Sequence, residues 1–313
     1  MLSPIDAAQV GILILNYHQP EATLACVKRL LEREGPEARV LWLENDADQT
    51  WAGLQPLLEA EDLPWTLVDA QAGELPAPDQ VGLIRIPANL GYAAGNNVGI
   101  RYLHRHGVEF AWVMNNDTLL TRGSSRDLVQ AANLRPDVAL WGMWVADTAL
   151  PSYLGLTLQR KDFAAARLMK AEAVESDPMS FINGCAMFFR TGEALAVGCI
   201  PEIYFMYYED PAFTWEFRKQ GRAFAVVEGV EVLHLQSLST GHRSAFMEYY
   251  CRRNRWYFIQ NYFPDCLVKQ KWLFFTHQMQ KLFFRLRFDR IRLEWRAYRD
   301  FRQGRMGRAT WRF

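Results

Sequence analysis

From its N-terminus to about residue 120 the chain alternates short, continuous apolar runs with amphipathic stretches. "QVGILILNY" is one such run, closing on polar residues, and "PEATLACVKRLLER" behind it repeats Leu24, Val27, Leu30 and Leu31 at helical spacing. "ARVLWLEND" is a second run, ending on Glu44, Asn45 and Asp46. "VGLIRIPANLGYAAGNNVGIRYLHRHG" supplies a third, then a turn rich in Gly and Asn, then a helix from about Ala94. "EFAWVMNNDT" is the fourth and stops on Asn115, Asn116 and Asp117. Apolar strands alternating with helical segments predict an α/β fold with a mostly parallel, helix-covered sheet. In such sheets ligands bind beyond the carboxyl ends of the strands, where these polar clusters fall.

Farther along, "VALWGMWV", "SFINGCAMFFR" and "AFAVVEGVEVLHL" read as further strands, with one helix around "PAFTWEFRKQG". Residues 146 to 177 carry no pattern that can be read. Beyond about Gly241 the text turns Arg- and aromatic-rich, helical in spacing and free of strand signals. The expected organisation is a catalytic-type α/β domain over residues 1–241 and a basic helical extension over 242–313.

With 313 residues, half of them apolar, the chain can bury a sizeable core. Thirty-five Lys or Arg balance 35 Asp or Glu, so the overall field points to neither a nucleic-acid coat nor an acidic partner. The balance is uneven along the chain: residues 265 to 313 hold thirteen Lys or Arg against four Asp or Glu, a net of +9, leaving −9 for the rest. Five cysteines without CxxC pairs or finger-type His spacing predict a reduced, cytoplasmic setting. "MLSPIDAAQVGILIL" has Asp6 and no basic segment before its apolar run, which is too short to span a bilayer. No other segment reaches about 18 uncharged apolar residues, so the expectation is a protein that lies on a membrane surface at most.

Four elements carry candidate chemistry. A carboxylate ending a buried strand needs a cation or a donor, so Asp117 with Asn115 and Asn116 reads either as oxygen ligands for a divalent metal or as an Asn/Asp turn. Glu209 and Asp210 end an aromatic run and precede Pro211. They read as acidic residues favoured at a helix start, as a partly desolvated base with a raised pKa, or as both. In "NLGYAAGNNVGI", Gly91, Gly95 and Gly99 flank Asn89, Asn96 and Asn97, and amides at a helix start suit a phosphate or a polar ring edge. That text has neither GxGxxG nor GK[ST] spacing, which sets aside a dinucleotide site and a P-loop. His234, ending a strand, reads as a hydrogen-bonded structural residue or a metal ligand.

Taken in order, "ILILNYH", "VLWLENDAD", "NLGYAAGNNVGI", "AWVMNNDTLL", "INGCAMFFRTGEALAVGCI", "YFMYYEDPAFTWEFRKQGR" and "VLHLQSLSTG" resemble the family 2 glycosyltransferases, nearest to their rhamnosyltransferase-like branch. The likeness runs from about Val10 to Gly241 and continues faintly into "YYCRRNRWYF". It implies a GT-A fold, a nucleotide-sugar donor of the dTDP-rhamnose or UDP-sugar type, and a divalent Mn²⁺ or Mg²⁺ bridging the diphosphate. It also implies residue roles. Asp117 matches the metal-binding Asp of the family's DxD-type motif, Asn115 stands at the other carboxylate position, and His234 completes the metal or diphosphate site. Asn45, with Glu44 and Asp46, falls at the nucleoside, with Asn16 in the floor beneath the base. Asp210, beside Glu209, matches the catalytic base, and Trp215 the tryptophan a helical turn later. Three positions depart from the pattern: Glu44 replaces an Asp, "NND" supplies one carboxylate, and Ala212 stands where a further Asp is usual.

The extension interleaves basic and aromatic residues in "KLFFRLRFDRIRLEWRAYRDFRQGRMGRATWRF". Such text suits an anionic membrane surface, packing on the first domain, or self-association. RNA is disfavoured because no RNA-binding module accompanies it. The expected partners are a nucleotide-sugar and a saccharide or lipid-linked acceptor at a cell-surface polysaccharide step. The competing reading is a noncatalytic scaffold that recruits partners through the extension. A nucleotidyltransferase on the same fold is disfavoured because "NYHQPEAT" has no Lys, Arg or Gly-rich character.

Overall fold

The structure is a computed structural model describing residues 9–35, 38–61, 63–77, 79–148, 151–235 and 244–311. The boundary expected at Gly241 lies outside the described residues. The chain forms a nine-stranded mixed sheet between helical layers, a small three-stranded sheet, and a group of C-terminal helices.

The first half follows the strand–helix alternation of the sequence. It runs β1 (Val10–Asn16), α1 (Pro20–Glu34), β2 (Arg39–Asn45), α2 (Ala47–Ala60), β3 (Trp65–Val68), β4 (Val81–Ile86), α3 (Gly91–Arg105) and β5 (Phe110–Asn115). Proline at its first position starts α1, and Gly35 at φ 89° ends it. Neighbours β3, β4, β2, β1 and β5 are all parallel, so their carboxyl ends share one edge. Strands β1, β2, β4 and β5 are mostly apolar because both faces are covered; Arg85 of β4 is exposed, and β3 is only partly buried. Ile12, Ile14, Trp42 and Trp112 pack beneath α1 and α2, while Leu13, Leu41, Leu43 and Val113 pack beneath α3. Gly95 and Gly99 let α3 approach closely. A Cβ at these positions would lie 2.7 Å from Leu15 Cδ1 and 2.8 Å from Leu13 Cδ2.

The second half completes the sheet with reversed partners. β6 (Thr118–Arg122) follows Asp117 directly and pairs antiparallel with β12 (Ala223–His234) at the far edge. Between them run α4 (Ser125–Leu134), β7 (Val138–Asp147), β8 (Gly155–Leu158), β9 (Ala165–Leu168), α5 (Ala171–Ser176), β10 (Ser180–Phe181), β11 (Ala186–Arg190), α6 (Thr191–Ala196) and α7 (Glu209–Lys219). Strand β11 is antiparallel to both β5 and β7. The stretch that offered no readable pattern forms β8 and β9, which with β10 make the small sheet.

Helices α8 (Ala245–Tyr262), α9 (Pro264–Leu273), α10 (Met279–Phe284) and α11 (Phe288–Arg302) follow, with a π-helical turn over Phe274–Gln278. They form one core among themselves and share others with the rest of the chain. Trp256 meets Phe274, Tyr298 and Phe301, and Phe258 meets Phe163 and Trp215. Among the described residues no helix is long and apolar enough to cross a membrane.

Candidate active site

A cleft of about 1710 Å³ opens along the carboxyl edge of β2, β4 and β5 and is closed on its far side by α8, α10 and α11. Of the residues singled out in the sequence, Asn45, Asn89, Gly91, Asn115, Asn116, Asp117, Glu209, Asp210 and His234 line it. Asn16, Glu44, Asp46, Asn96, Asn97 and Trp215 do not.

At the first end of the cleft, Asn45 is buried and shapes the turn after β4. Its Oδ1 accepts the Leu90 N–H at 2.9 Å, and its Nδ2 donates to Asn89 Oδ1 at 3.2 Å and to the Gly91 carbonyl at 3.3 Å. Gly91 sits at φ 83°, and a Cβ there would meet the Phe205 carbonyl at 2.2 Å. Next to it, Tyr92 N–H donates to that same carbonyl at 2.9 Å. The glycine is therefore required by the backbone and by the close approach of the 205 segment.

Beneath this floor lies a buried polar network. Glu44 is wholly buried and accepts from Asn16 Nδ2 and Trp42 Nε1, each at 2.8 Å, and from the Thr50 hydroxyl. Asn16 Oδ1 accepts from Thr23 Oγ1 at 2.8 Å and Asn116 Nδ2 at 3.4 Å. With its oxygens satisfied inside the protein, Glu44 acts here as a support for the strand ends and not as a lining group. Asn97, also wholly buried, donates to the Ile200 carbonyl at 2.8 Å and accepts its neighbour's bond, Ile200 N–H, at 3.1 Å. Asn96 donates to the Tyr92 carbonyl at 3.0 Å within α3. Asp46, at φ 110°, lies 3.0 Å from exposed His18 Nε2. Trp215 packs edge-on against Phe258 and Phe263, with the Arg218 guanidinium 4.6 Å from its ring.

The middle of the cleft is set by strand register. Thr118 in β6 stands opposite His234 in β12, and the Leu235 N–H donates to the Asp117 carbonyl at 2.9 Å. Residues 117 positions apart are thereby brought together, with His234 Nε2 3.2 Å from Asp117 Oδ1. That carboxylate oxygen is buried and, among the described residues, meets the imidazole nitrogen without an aligned hydrogen bond. A buried carboxylate oxygen beside an imidazole nitrogen fits a divalent cation. Among the described residues no group of three or more His, Cys, Asp or Glu converges, so further ligands would come from substrate or water.

Across the cleft, α7 begins with Glu209 and Asp210 in its first turn, behind Tyr207 and Tyr208 at φ 68° and 75°. Left-handed backbone at two tyrosines is uncommon and is held from outside. Asn254 of α8, wholly buried, donates Nδ2 to the Met206 and Tyr207 carbonyls, both at 2.8 Å. Tyr208 hydroxyl donates to the Phe163 carbonyl at 2.9 Å. Asp210 Oδ2 accepts the Gly184 N–H at 3.2 Å, and the Tyr92 hydroxyl donates to the Gly184 carbonyl. The same loop returns to β5, where the Asn115 N–H donates to the Cys185 carbonyl at 2.9 Å. Burial pushes the Asp210 carboxyl up to about 7, against the lowering effect of the Gly184 N–H. Glu209 is pushed well above the usual carboxylate range by burial and then by the Asp210 charge, and its Oε2 has no hydrogen-bond partner.

Asn254, Gly184 and Tyr92 act on this turn and were not singled out in the sequence. Both "INGC" and "RRNRW" fall within text that carried the resemblance, but neither shows locally which backbone groups its amides meet.

No protein-family model matches the chain. Among curated proteins it is 25% identical over 182 residues to low-salt glycan biosynthesis hexosyltransferase Agl10 of Haloferax volcanii, covering 56% of this chain and 59% of that relative. The chain thus spans under two thirds of that protein's length. Among solved structures, GalNAc-T7 with UDP, GalNAc and Mn²⁺ matches 78% of this chain and 47% of its own, with a TM-score of 0.53 at 9% identity. S. aureus TarS 1-349 matches over 94% of this chain and 80% of its own, with a TM-score of 0.51 at 12% identity. The fold is that of the GT-A glycosyltransferases. In this GT-A chain the mixed sheet, with its reversed strands β11 and β6, puts the Asp117 edge and the α7 turn on opposite walls of one cleft.

Proposed function

We propose that the chain is a metal-dependent, inverting glycosyltransferase. It moves a sugar from a nucleotide-sugar of the dTDP-rhamnose or UDP-sugar type to a hydroxyl of a saccharide or lipid-linked acceptor, at a step of surface-glycan assembly. One observation carries this reading: the buried Asp117 carboxylate paired with His234 shares a cleft with Asp210, and the Gly184–Cys185 loop is hydrogen-bonded to both Asn115 and Asp210. GalNAc-T7, described with UDP, GalNAc and Mn²⁺, and Agl10, described as a hexosyltransferase, support the sugar-transfer, nucleotide and metal parts of the reading.

A divalent cation held by Asp117 and His234 would offset the charge that gathers on the departing diphosphate. The rest falls to the chain's own groups. Asp210 accepts the proton of the acceptor hydroxyl while that oxygen bonds to the anomeric carbon and the bond from that carbon to the phosphate oxygen breaks. The nucleoside diphosphate leaves on the opposite face, so the anomeric configuration inverts. A carboxyl poised near 7 suits a base at neutral pH, and the Gly184 N–H fixes one of its oxygens. Asn45 and the Asn89–Gly91 turn shape the nucleoside end.

The test is thermal stability against a panel of nucleotide-sugars with and without Mn²⁺ or Mg²⁺, followed by donor hydrolysis and transfer. A metal-dependent shift with one donor is expected. Asp117→Ala removes the metal-dependent part, and Asp210→Asn keeps the shift while abolishing turnover. Full activity in Asp210→Asn refutes the base assignment. No shift with any donor, in folded protein, favours the noncatalytic scaffold.

A further inference from the structure

The exposed apolar surface of the molecule is concentrated in one place. Of the fifteen large hydrophobic side chains exposed among the described residues, eight lie between Val268 and Trp295, so this patch is not the scatter expected of an ordinary surface. Its apex is the turn from α10 to α11, where Phe283, Phe284, Leu286 and Phe288 are 57%, 81%, 72% and 50% exposed. The turn is a defined structure. Leu286 sits at φ 53°, its N–H donates to the Phe283 carbonyl at 2.9 Å, and the Arg287 N–H donates to the Leu282 carbonyl at 3.0 Å. The phenyl ring of Phe283 meets those of Phe284 and Phe288, and none of the four side chains joins the cores of the C-terminal helices.

Charge frames this apex. Arg285 and Arg287 lie within the turn, Lys281 precedes it and Arg292 follows it, all exposed except as Arg287 pairs with Asp289 at 3.1 Å. On the inner side of the same helices, Lys281, Leu282, Arg290 and Leu293 line the cleft. The apex therefore stands beside the mouth of the cleft.

The geometry points to an anionic lipid bilayer as the occupant of this apex. Phe283, Phe284, Leu286 and Phe288 enter the headgroup and acyl boundary, while Lys281, Arg285, Arg287 and Arg292 meet anionic headgroups. Apolar side chains that no protein core accepts, ringed by cations, complement such a surface on both counts. The described helices lie on the bilayer and do not cross it. This inference rests on exposure and charge and stands apart from the sugar-transfer reading.

The test is co-sedimentation of the full chain with vesicles of phosphatidylcholine alone and of phosphatidylcholine with phosphatidylglycerol. The intact protein is expected to bind the anionic vesicles, to ignore the neutral ones, and to be released by salt. The triple substitution Phe283→Ser, Phe284→Ser and Leu286→Ser should weaken partitioning at least ~10-fold, since each removes an exposed apolar group from the contact. Its melting midpoint should stay unchanged, because these side chains support no core. Equal binding by the triple variant, absence of binding by the intact chain, or concentration-dependent self-association that the same substitutions abolish would each overturn the proposal.

Discussion

Replacing Asn254 with leucine isolates what holds the α7 turn in place. The side chain is wholly buried, and leucine keeps its branched skeleton while removing both polar atoms, at the cost of some added bulk. Two carbonyls, of Met206 and Tyr207, lose 2.8 Å bonds, and Arg253 Nε loses its 3.1 Å acceptor, Asn254 Oδ1. A buried group left without its partner costs about 1–3 kcal/mol, and residues 206 and 207 are half-buried, so water recovers part of it. The expected destabilisation is roughly 2–5 kcal/mol, a large share of a typical domain's stability. Urea unfolding reads this as a lower midpoint. The functional consequence is separable, because Tyr207 and Tyr208 keep their left-handed backbone only while it is held, and Asp210 follows them by two residues. Turnover should fall while the donor-induced thermal shift persists, since Asn45 and Asp117 are placed by the sheet. A variant with unchanged midpoint and unchanged turnover refutes the clamp.

Three other expectations come from the same cleft. Asp210 works as a base only when ionised, so turnover should rise with pH through about 7, and a rate indifferent to pH on both sides of 7 removes it from that role. Stability moves the other way. The folded state binds the Asp210 proton more tightly than the unfolded chain does, so this contribution is present at low pH and is lost as pH climbs from the ordinary aspartate range through about 7, which unfolding across that range measures. Gly91→Ala forces a Cβ onto φ 83° and against the Phe205 carbonyl, and should cost about 2–4 kcal/mol in a denaturation midpoint. An unchanged midpoint would mean that the turn and the 205 segment do not meet in this way.

How far the sequence reaches is a matter of distance along the chain. Strands β1, β2 and β5 were legible because burial on both faces writes a nearly continuous apolar run, β4 was legible despite the exposed Arg85, and their shared direction followed from the helices between them. The small sheet was not legible, since β8 and β9 are four residues each, too short to establish a period, and "SFINGCAMFFR", read as one strand, divides between β10 and β11 in different sheets. Strand β6 hid behind Asp117 for a related reason: a polar cluster looked like the end of the element when another strand began one residue later. At the site, amides at strand and helix ends look alike whether they face a ligand or a backbone. Asn97 meets Ile200 from 103 residues away, and Glu44 is satisfied by Asn16 from 28, so neither partnership leaves a local mark. Asp117 and His234 carried a role through family resemblance, but their juxtaposition is a product of the β6–β12 register.

The C-terminal helices connect the candidate site to the exposed apex. Helix α8 presents Asn254 to the backbone ahead of Asp210, and presents Trp256 to Tyr298 and Phe301 of α11. Arg253, fully enclosed, donates to the Gly307 carbonyl at 2.7 Å, and the Gly307 N–H donates back to the Ile203 carbonyl at 3.1 Å. The segment after α11 is thereby laced to the loop that leads into the catalytic turn. Because α11 also begins at the exposed apex, the groups that hold the turn before Asp210 and the helix that leads from the apex belong to one packed unit. A bilayer engaged by Phe284 and Leu286 would then meet the cleft at a fixed orientation, beside the wall that Lys281 and Arg290 line. That arrangement suits an acceptor whose hydroxyl is delivered from the membrane surface, because the distance from headgroup to base is set by helix packing and not by a flexible tether.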